Sequence, residues 1–142
     1  MNKFDKTVNE YLKEAVQPNG PVTNANSDKV WYKDGKRHRL DGPAVERANG
    51  DKVWYINGKR HRLDGPAVEY ANGDKLWYKD GKRHRLDGPA VEYASGDSHW
   101  FLNDQILSPK EVTEHKQKLA IKKEIQGHKN NRIDPGMLED YL

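Results

Sequence analysis

Three histidines, His38, His61 and His84, recur at a step of 23 residues, and each is followed by Arg-Leu-Asp. An imidazole near a carboxylate, such as His61 with Asp64, is the composition of an acid–base pair. Imidazole is also the commonest metal ligand. Spacing argues against both uses. Strands lie about 4.8 Å apart, so a two-strand unit advances about 9–10 Å. A zinc ion holds its nitrogens at about 2 Å. Equivalent histidines therefore cannot share one ion. An active site needs one cleft with one oriented pair, whereas a motif present in every unit serves the unit. The expectation is no catalytic set, no metal and no cofactor. The local reading is a contact of Arg62 with Asp64 and an Asp-Gly-Pro turn. The chain has no cysteine, which removes disulfides, thiolate metal sites and a cysteine nucleophile.

Two other residue sets could do binding chemistry. Lys36-Arg37, Lys59-Arg60 and Lys82-Arg83 form a basic ladder suited to phosphates. Aromatics interleave with it, as single-strand binders prefer. Asp34, Asp41, Asp64, Asp80 and Asp87 dilute its field, so a polyanion is the alternative ligand. The second set is the row Tyr32, Tyr55, Tyr78 and Phe101. Exposed aromatics in a contiguous patch mark interaction sites, and these four are the expected partner-binding residues.

These residues sit in a repeat. GKRHRLDGPAVE stands at 35–46, 58–69 and 81–92, and Trp31, Trp54, Trp77 and Trp100 keep the same step. Half units flank the three full copies, as a stack requires at its ends. The local signals are β. Asn-Gly at Asn49-Gly50 and Asn72-Gly73 suits a type I′ hairpin turn. Pairing across Asn72-Gly73 sets Tyr70 opposite Lys75, Val68 opposite Trp77 and Ala67 opposite Tyr78. One face then gathers Pro66, Val68, Tyr70 and Trp77, and this Trp–Val face is the expected core. The other gathers Ala67, Glu69, Leu76 and Tyr78. A slip of one residue exchanges the faces. The segment 80–89, rich in Gly with a closing Pro, reads as a connecting loop or broad turn.

The ends differ from the middle. In residues 1–18, Phe4, Val8, Tyr11, Leu12 and Ala15 form a helical stripe, stopped by the Pro18–Pro21 cluster. The repeat array occupies 19–107. Ser108-Pro109-Lys110-Glu111 is a helix start, and the spacing predicts a helix over 108–126, ending before Gly127. Residues 127–142 form a tail.

The 23-residue step and the element Trp-Tyr-x-Asn/Asp-Gly-Lys-x-His resemble the MORN repeat, a hairpin unit that stacks into an elongated single sheet. The variant Trp-Tyr-x-x-Gly-Lys-x-His-Arg-x-Asp-Gly-Pro-Ala is more similar to arrays in small bacteriophage and viral proteins. Those often close with a Ser-capped helix, as at Leu107-Ser108-Pro109-Lys110-Glu111. The resemblance covers roughly 19–112. It implies an interaction module with no catalytic residues. Arg39, Arg62 and Arg85 stand where a Gly usually follows the His, so lipid binding does not carry over.

The expected fold is mainly β: a single antiparallel sheet of stacked hairpins, about seven strands, with a helix at each terminus. Of 142 residues only 34% are hydrophobic, which suits a thin array better than a deep core. The balance of 25 basic and 22 acidic residues permits nucleic acid without demanding it. No apolar run approaches the ~20 residues of a membrane span, and Met1-Asn2-Lys3-Phe4-Asp5 lacks the apolar stretch of a signal peptide. The expectation is a cytoplasmic, non-enzymatic protein, in the host cytoplasm if viral. It binds and blocks a host protein, and the C-terminal edge strand and helix are the expected homodimer contact.

Overall fold

The computed structural model describes residues 21–130. Fifteen short strands are followed by one helix, α1 (Pro109–Asn130). Nine strands form one antiparallel sheet: β1 (Val22–Thr23), β2 (Lys29–Val30), β5 (Val45–Glu46), β6 (Lys52–Val53), β9 (Val68–Glu69), β10 (Lys75–Leu76), β13 (Val91–Glu92), β14 (Ser98–Leu102) and β15 (Gln105–Leu107). The rest pair as three two-stranded ribbons: β3 (Tyr32–Lys33) with β4 (Lys36–Arg37), β7 (Tyr55–Ile56) with β8 (Lys59–Arg60), and β11 (Tyr78–Lys79) with β12 (Lys82–Arg83). The protein is mainly β, built of stacked hairpins. The sheet has nine strands rather than about seven, because the flanking half units add the β1–β2 hairpin and β15 to the three unit hairpins.

Each hairpin has its own turn. The ribbon turns are Asp34-Gly35, Asn57-Gly58 and Asp80-Gly81, with φ positive at both residues of each pair. That is the requirement of a type I′ turn. The segment expected to be a connecting loop or broad turn therefore contains a hairpin. In the Ala-Asn-Gly-Asp loops only the glycine is left-handed, with φ of 100° at Gly50 and Gly73. There Tyr70 N–H donates to the Asp74 carbonyl at 3.0 Å, and Gly73 N–H to the Tyr70 carbonyl at 2.9 Å. This is a three-residue loop with a glycine bulge. The expected type I′ turn at Asn72-Gly73 is corrected accordingly. The asparagine is used differently: its Oδ1 accepts the Asp74 amide at 2.9 Å.

The longer loop moves the register by one residue. Val68 lies opposite Leu76 and Glu69 opposite Lys75, not Val68 opposite Trp77. The consequence is a continuous aliphatic row, Val30–Val45–Val53–Val68–Leu76–Val91, each paired with the next across a strand boundary. The neighbouring row alternates charge, Lys29–Glu46–Lys52–Glu69–Lys75–Glu92. Opposite charges directly across a pair stabilise a sheet. Val30, Val45, Val53 and Val68 are buried, and Tyr32, Tyr55, Leu76 and Tyr78 pack against them. The expected grouping is thus corrected: Val68 stays in the core, but the tyrosines and Leu76 share its side, while Trp77 packs against Ala90, Val91 and Phe101.

The helix start follows the expected capping box. Glu111 N–H donates to Ser108 Oγ at 3.1 Å, and Ser108 N–H to Glu111 Oε1 at 3.2 Å. The helix continues through Gly127 to Asn130, beyond the expected stop, since one glycine costs a helix only about 1 kcal/mol. It packs on β14 with Val112 fully buried. The N-terminal helix expected over 1–18 and the tail from 131 lie outside the described residues. Among the described residues no helix is long and apolar enough to cross a membrane.

Candidate docking edge

The His-Arg-Leu-Asp-Gly-Pro segments form three loops along one edge, one per unit. Each begins at its histidine. His38, His61 and His84 accept the backbone N–H of Asn57, Asp80 and Asn103 on Nδ1, at 3.0, 3.1 and 3.2 Å. An acceptor nitrogen carries no proton, so the ring N–H is on Nε2. Each histidine therefore clips its unit to the next ribbon turn. Burial pulls the His84 imidazole below its ordinary value, helped by the charges of Lys79 and His115. No group of three metal-ligating side chains comes together among the described residues.

The arginine one residue on shapes the loop. The Arg39, Arg62 and Arg85 guanidinium carbons lie 3.8, 3.9 and 3.8 Å from the ring centroids of Trp31, Trp54 and Trp77. The same guanidiniums reach back to the carbonyls of Pro43, Pro66 and Pro89 at 3.0 Å. Arg39 and Arg62 also hold Asp41 and Asp64 at 2.9 and 3.0 Å. The expected contact of Arg62 with Asp64 is present. A planar cation can stack on the indole while its edge donates several hydrogen bonds. The stack was not foreseen from sequence. Its signal was the constant interval of eight residues from each Trp to its Arg.

What this scaffold presents outward is leucine. Leu40 and Leu63 are 83% and 81% exposed. Between the first two loops runs a groove of about 780 Å³, walled by Leu40, Asp41, Trp54, Ile56 and Leu63. In the sequence these leucines are apolar letters in a polar loop, with no spacing pattern that marks them as exposed.

The two residue sets singled out earlier have other surroundings. Tyr32, Tyr55 and Tyr78 are half-buried against the valine row, and Phe101 is buried. They do not lie on an uncovered face, because the register differs by one. Arg37 donates to the Tyr55 hydroxyl and Arg60 to that of Tyr78, both at 3.3 Å. Burial raises the Tyr55 hydroxyl pKa, but the guanidiniums of Arg60 and Arg37 outweigh it and the net shift is downward. Arg83 is engaged by Asp104 at 3.0 Å. The arginines of the basic ladder are thus drawn into the fold. Lys36, Lys59 and Lys82 remain exposed on the ribbons, with Lys33 opposite Lys36 and Lys79 opposite Lys82.

The class defined by this architecture is a tandem array of paired hairpins with one repeated edge. Comparison with known proteins finds no matching family model, no similar curated protein and no similar solved structure.

Proposed function

We propose that the chain is a non-enzymatic interaction module that binds a protein partner along its loop edge. The observation that carries this reading is the pair Leu40 and Leu63, large apolar side chains held almost fully in water on loops pinned by arginine–tryptophan stacks. Binding residues concentrate on loops set by a rigid scaffold. A preorganised loop also gives up little ordering entropy when it docks. The similarity of the repeat to phage and viral arrays suggests a host protein as the partner, bound and blocked in the host cytoplasm. Self-association at the C-terminal edge belongs to the same reading, since Ile106 on the last strand is 65% exposed.

The test is affinity capture by the immobilised full chain, followed by reconstitution of the complex from purified components. A saturable complex of defined stoichiometry is expected. Failure of every captured protein to re-form a complex when purified overturns the reading.

A second reading is favoured by one observation: Lys33, Lys36, Lys59, Lys79 and Lys82 are exposed on the ribbons, with Lys33 opposite Lys36 and Lys79 opposite Lys82. Such a row suits a polyanion. Titration against random RNA and DNA separates the two readings, because phosphate binding falls steeply with salt.

A further inference from the structure

Trp100 is in step with Trp77, so a fourth loop would begin at Leu107, where the step places the next histidine. The chain places α1 there instead. The helix lies over the third loop: Lys116 pairs with Asp87, and the His115 charge acts on His84. Leu86 is half-buried and Gly88 buried, where Leu40 and Leu63 are exposed and Gly42 and Gly65 half-buried. Asp87 has also changed partner. Its counterparts Asp41 and Asp64 are held by their own loop arginines, whereas Asp87 takes Lys116; the pair from the loop arginine to Glu46, Glu69 or Glu92 is common to all three units. The third loop thus shows what the other two can accept: a helix that sets a lysine, Lys116, on the loop aspartate, four positions after Val112, which is buried where the helix packs on β14.

The spacing extends the argument. Units advance about 9–10 Å, and helical residues seven apart are separated by about 10.5 Å along the axis. A helix laid along the edge therefore meets successive loops with positions i and i+7. In α1 the pair Val112 and Lys116 recurs as Leu119 and Lys123. The second pair is not covered, Leu119 being 41% exposed.

We propose that the groove between the first two loops docks an amphipathic helix of a partner protein, with apolar residues at i and i+7 and lysines at i+4 and i+11. The apolar residues pack on Leu40 and Leu63, and the lysines pair with Asp41 and Asp64, both 86% exposed as side chains. This rests on the interaction reading above and names the partner's chemistry.

The probe is a synthetic peptide with the sequence of residues 108–126, titrated into the isotope-labelled full chain. The expected result is movement of the Leu40 and Leu63 methyl signals and of the Trp54 indole N–H. Replacing both Lys116 and Lys123 by Glu in the peptide is expected to weaken binding at least tenfold. In the full chain, Leu40→Asp with Leu63→Asp is expected to do the same without lowering the melting temperature, because both side chains are exposed. No movement of those signals at millimolar peptide overturns the proposal. So does movement confined to Leu86 and Val112, which would mean exchange with the chain's own helix. Concentration-dependent shifts of Leu40 and Leu63 without peptide would give the groove to a second copy and also overturn it. A reconstituted partner complex weakened by Leu40→Asp with Leu63→Asp, in which the partner docks through a non-helical segment, would sink the helix proposal alone and leave the interaction reading standing, whereas a complex indifferent to both changes would overturn the two together.

Discussion

Arg62 ties more parts together than any neighbour in its unit: the Trp54 ring, Asp64, the Pro66 carbonyl and Glu69. Exposed ion pairs contribute little, so the stack and the carbonyl bond carry most of its effect. Arg62→Ala is expected to cost about 1–2 kcal/mol, from one cation–π contact and one charged hydrogen bond. Arg62→Lys is expected to recover less than half, because an ammonium cannot stack and fork together. Trp54→Ala removes the platform itself and is expected to cost about 3 kcal/mol, the low end for a large aromatic since the ring is half-buried. Urea titration at neutral pH checks all three. A Lys variant as stable as the parent would contradict the stacking account.

His84 makes the stability pH-dependent. Its folded pKa lies below the ordinary 6.5, so between those values the unfolded chain binds more protons than the folded one. Stability is then complete above about 6.5 and falls as the pH drops through the lowered value. Asp28, Asp41, Asp87 and Asp104 are also lowered, from 3.8, chiefly by hydrogen bonds from Ala48, Arg39, Lys116 and Arg83 respectively. Their contribution is lost only as the pH falls below that value. The expected melting profile therefore has two acid limbs. His84→Gln is expected to flatten the upper limb and spare the lower. An unchanged upper limb in that variant would remove His84 from the explanation.

All but β14 and β15 of the strands are two residues long and would not persist alone. What holds them is repetition between loops. Asp28, Asp51 and Asp74 each accept the N–H of an alanine in the next loop, Ala48, Ala71 and Ala94, at 2.7–2.9 Å. The ribbon turns stack in the same way, with Gly58 N–H donating to the Arg37 carbonyl at 2.8 Å. Gly58 has a φ of 80°, where a Cβ is disfavoured by about 1–2 kcal/mol. Gly58→Ala is expected to cost about that much, although Lys36 Cβ lies no closer than 3.5 Å to the added methyl. Gly127→Ala, mid-helix and open on all sides, is expected to stabilise by about 1 kcal/mol. Thermal melts of the two variants should move in opposite directions. A parallel shift would contradict the turn assignment.

At the level of the molecule, stability is a sum of units and their interfaces. Deleting residues 51–73 joins Gly50 to Asp74 and restores an Asn-Gly-Asp loop in register. That chain is expected to fold, with a lower melting temperature. Deleting 51–61 removes β6, β7 and β8, interrupts the valine row and is expected to abolish the cooperative melt. Equal tolerance of both deletions by circular dichroism would contradict the array. The last strands are the other exposed point. Truncation at Leu107 removes Val112 and Lys116 and so uncovers β14 and the third loop. Light scattering is expected to show more self-association than in the full chain. Strictly monomeric behaviour in both would locate binding away from this end.

The amino-acid sequence alone was enough for the repeat, its 23-residue step, the antiparallel β class and the capped start of α1, because these depend on periodicity and on local chemistry at Ser108, Pro109 and Glu111. It was not enough for the register. Asn72-Gly73 suits a type I′ turn by composition, yet the stacked loop uses the asparagine side chain on Asp74 and the Asp74 carboxylate on Ala94. The first bond closes the loop and the second spans units, and together they hold the longer turn. One residue of register then moved the tyrosines to the valine side and the tryptophans under the arginines. The leucines were legible only as apolar letters in a polar loop. That Leu40 and Leu63 are exposed while Leu86 is half-buried, and that α1 reaches the third loop through Lys116 and Asp87, depend on contacts far apart in the chain.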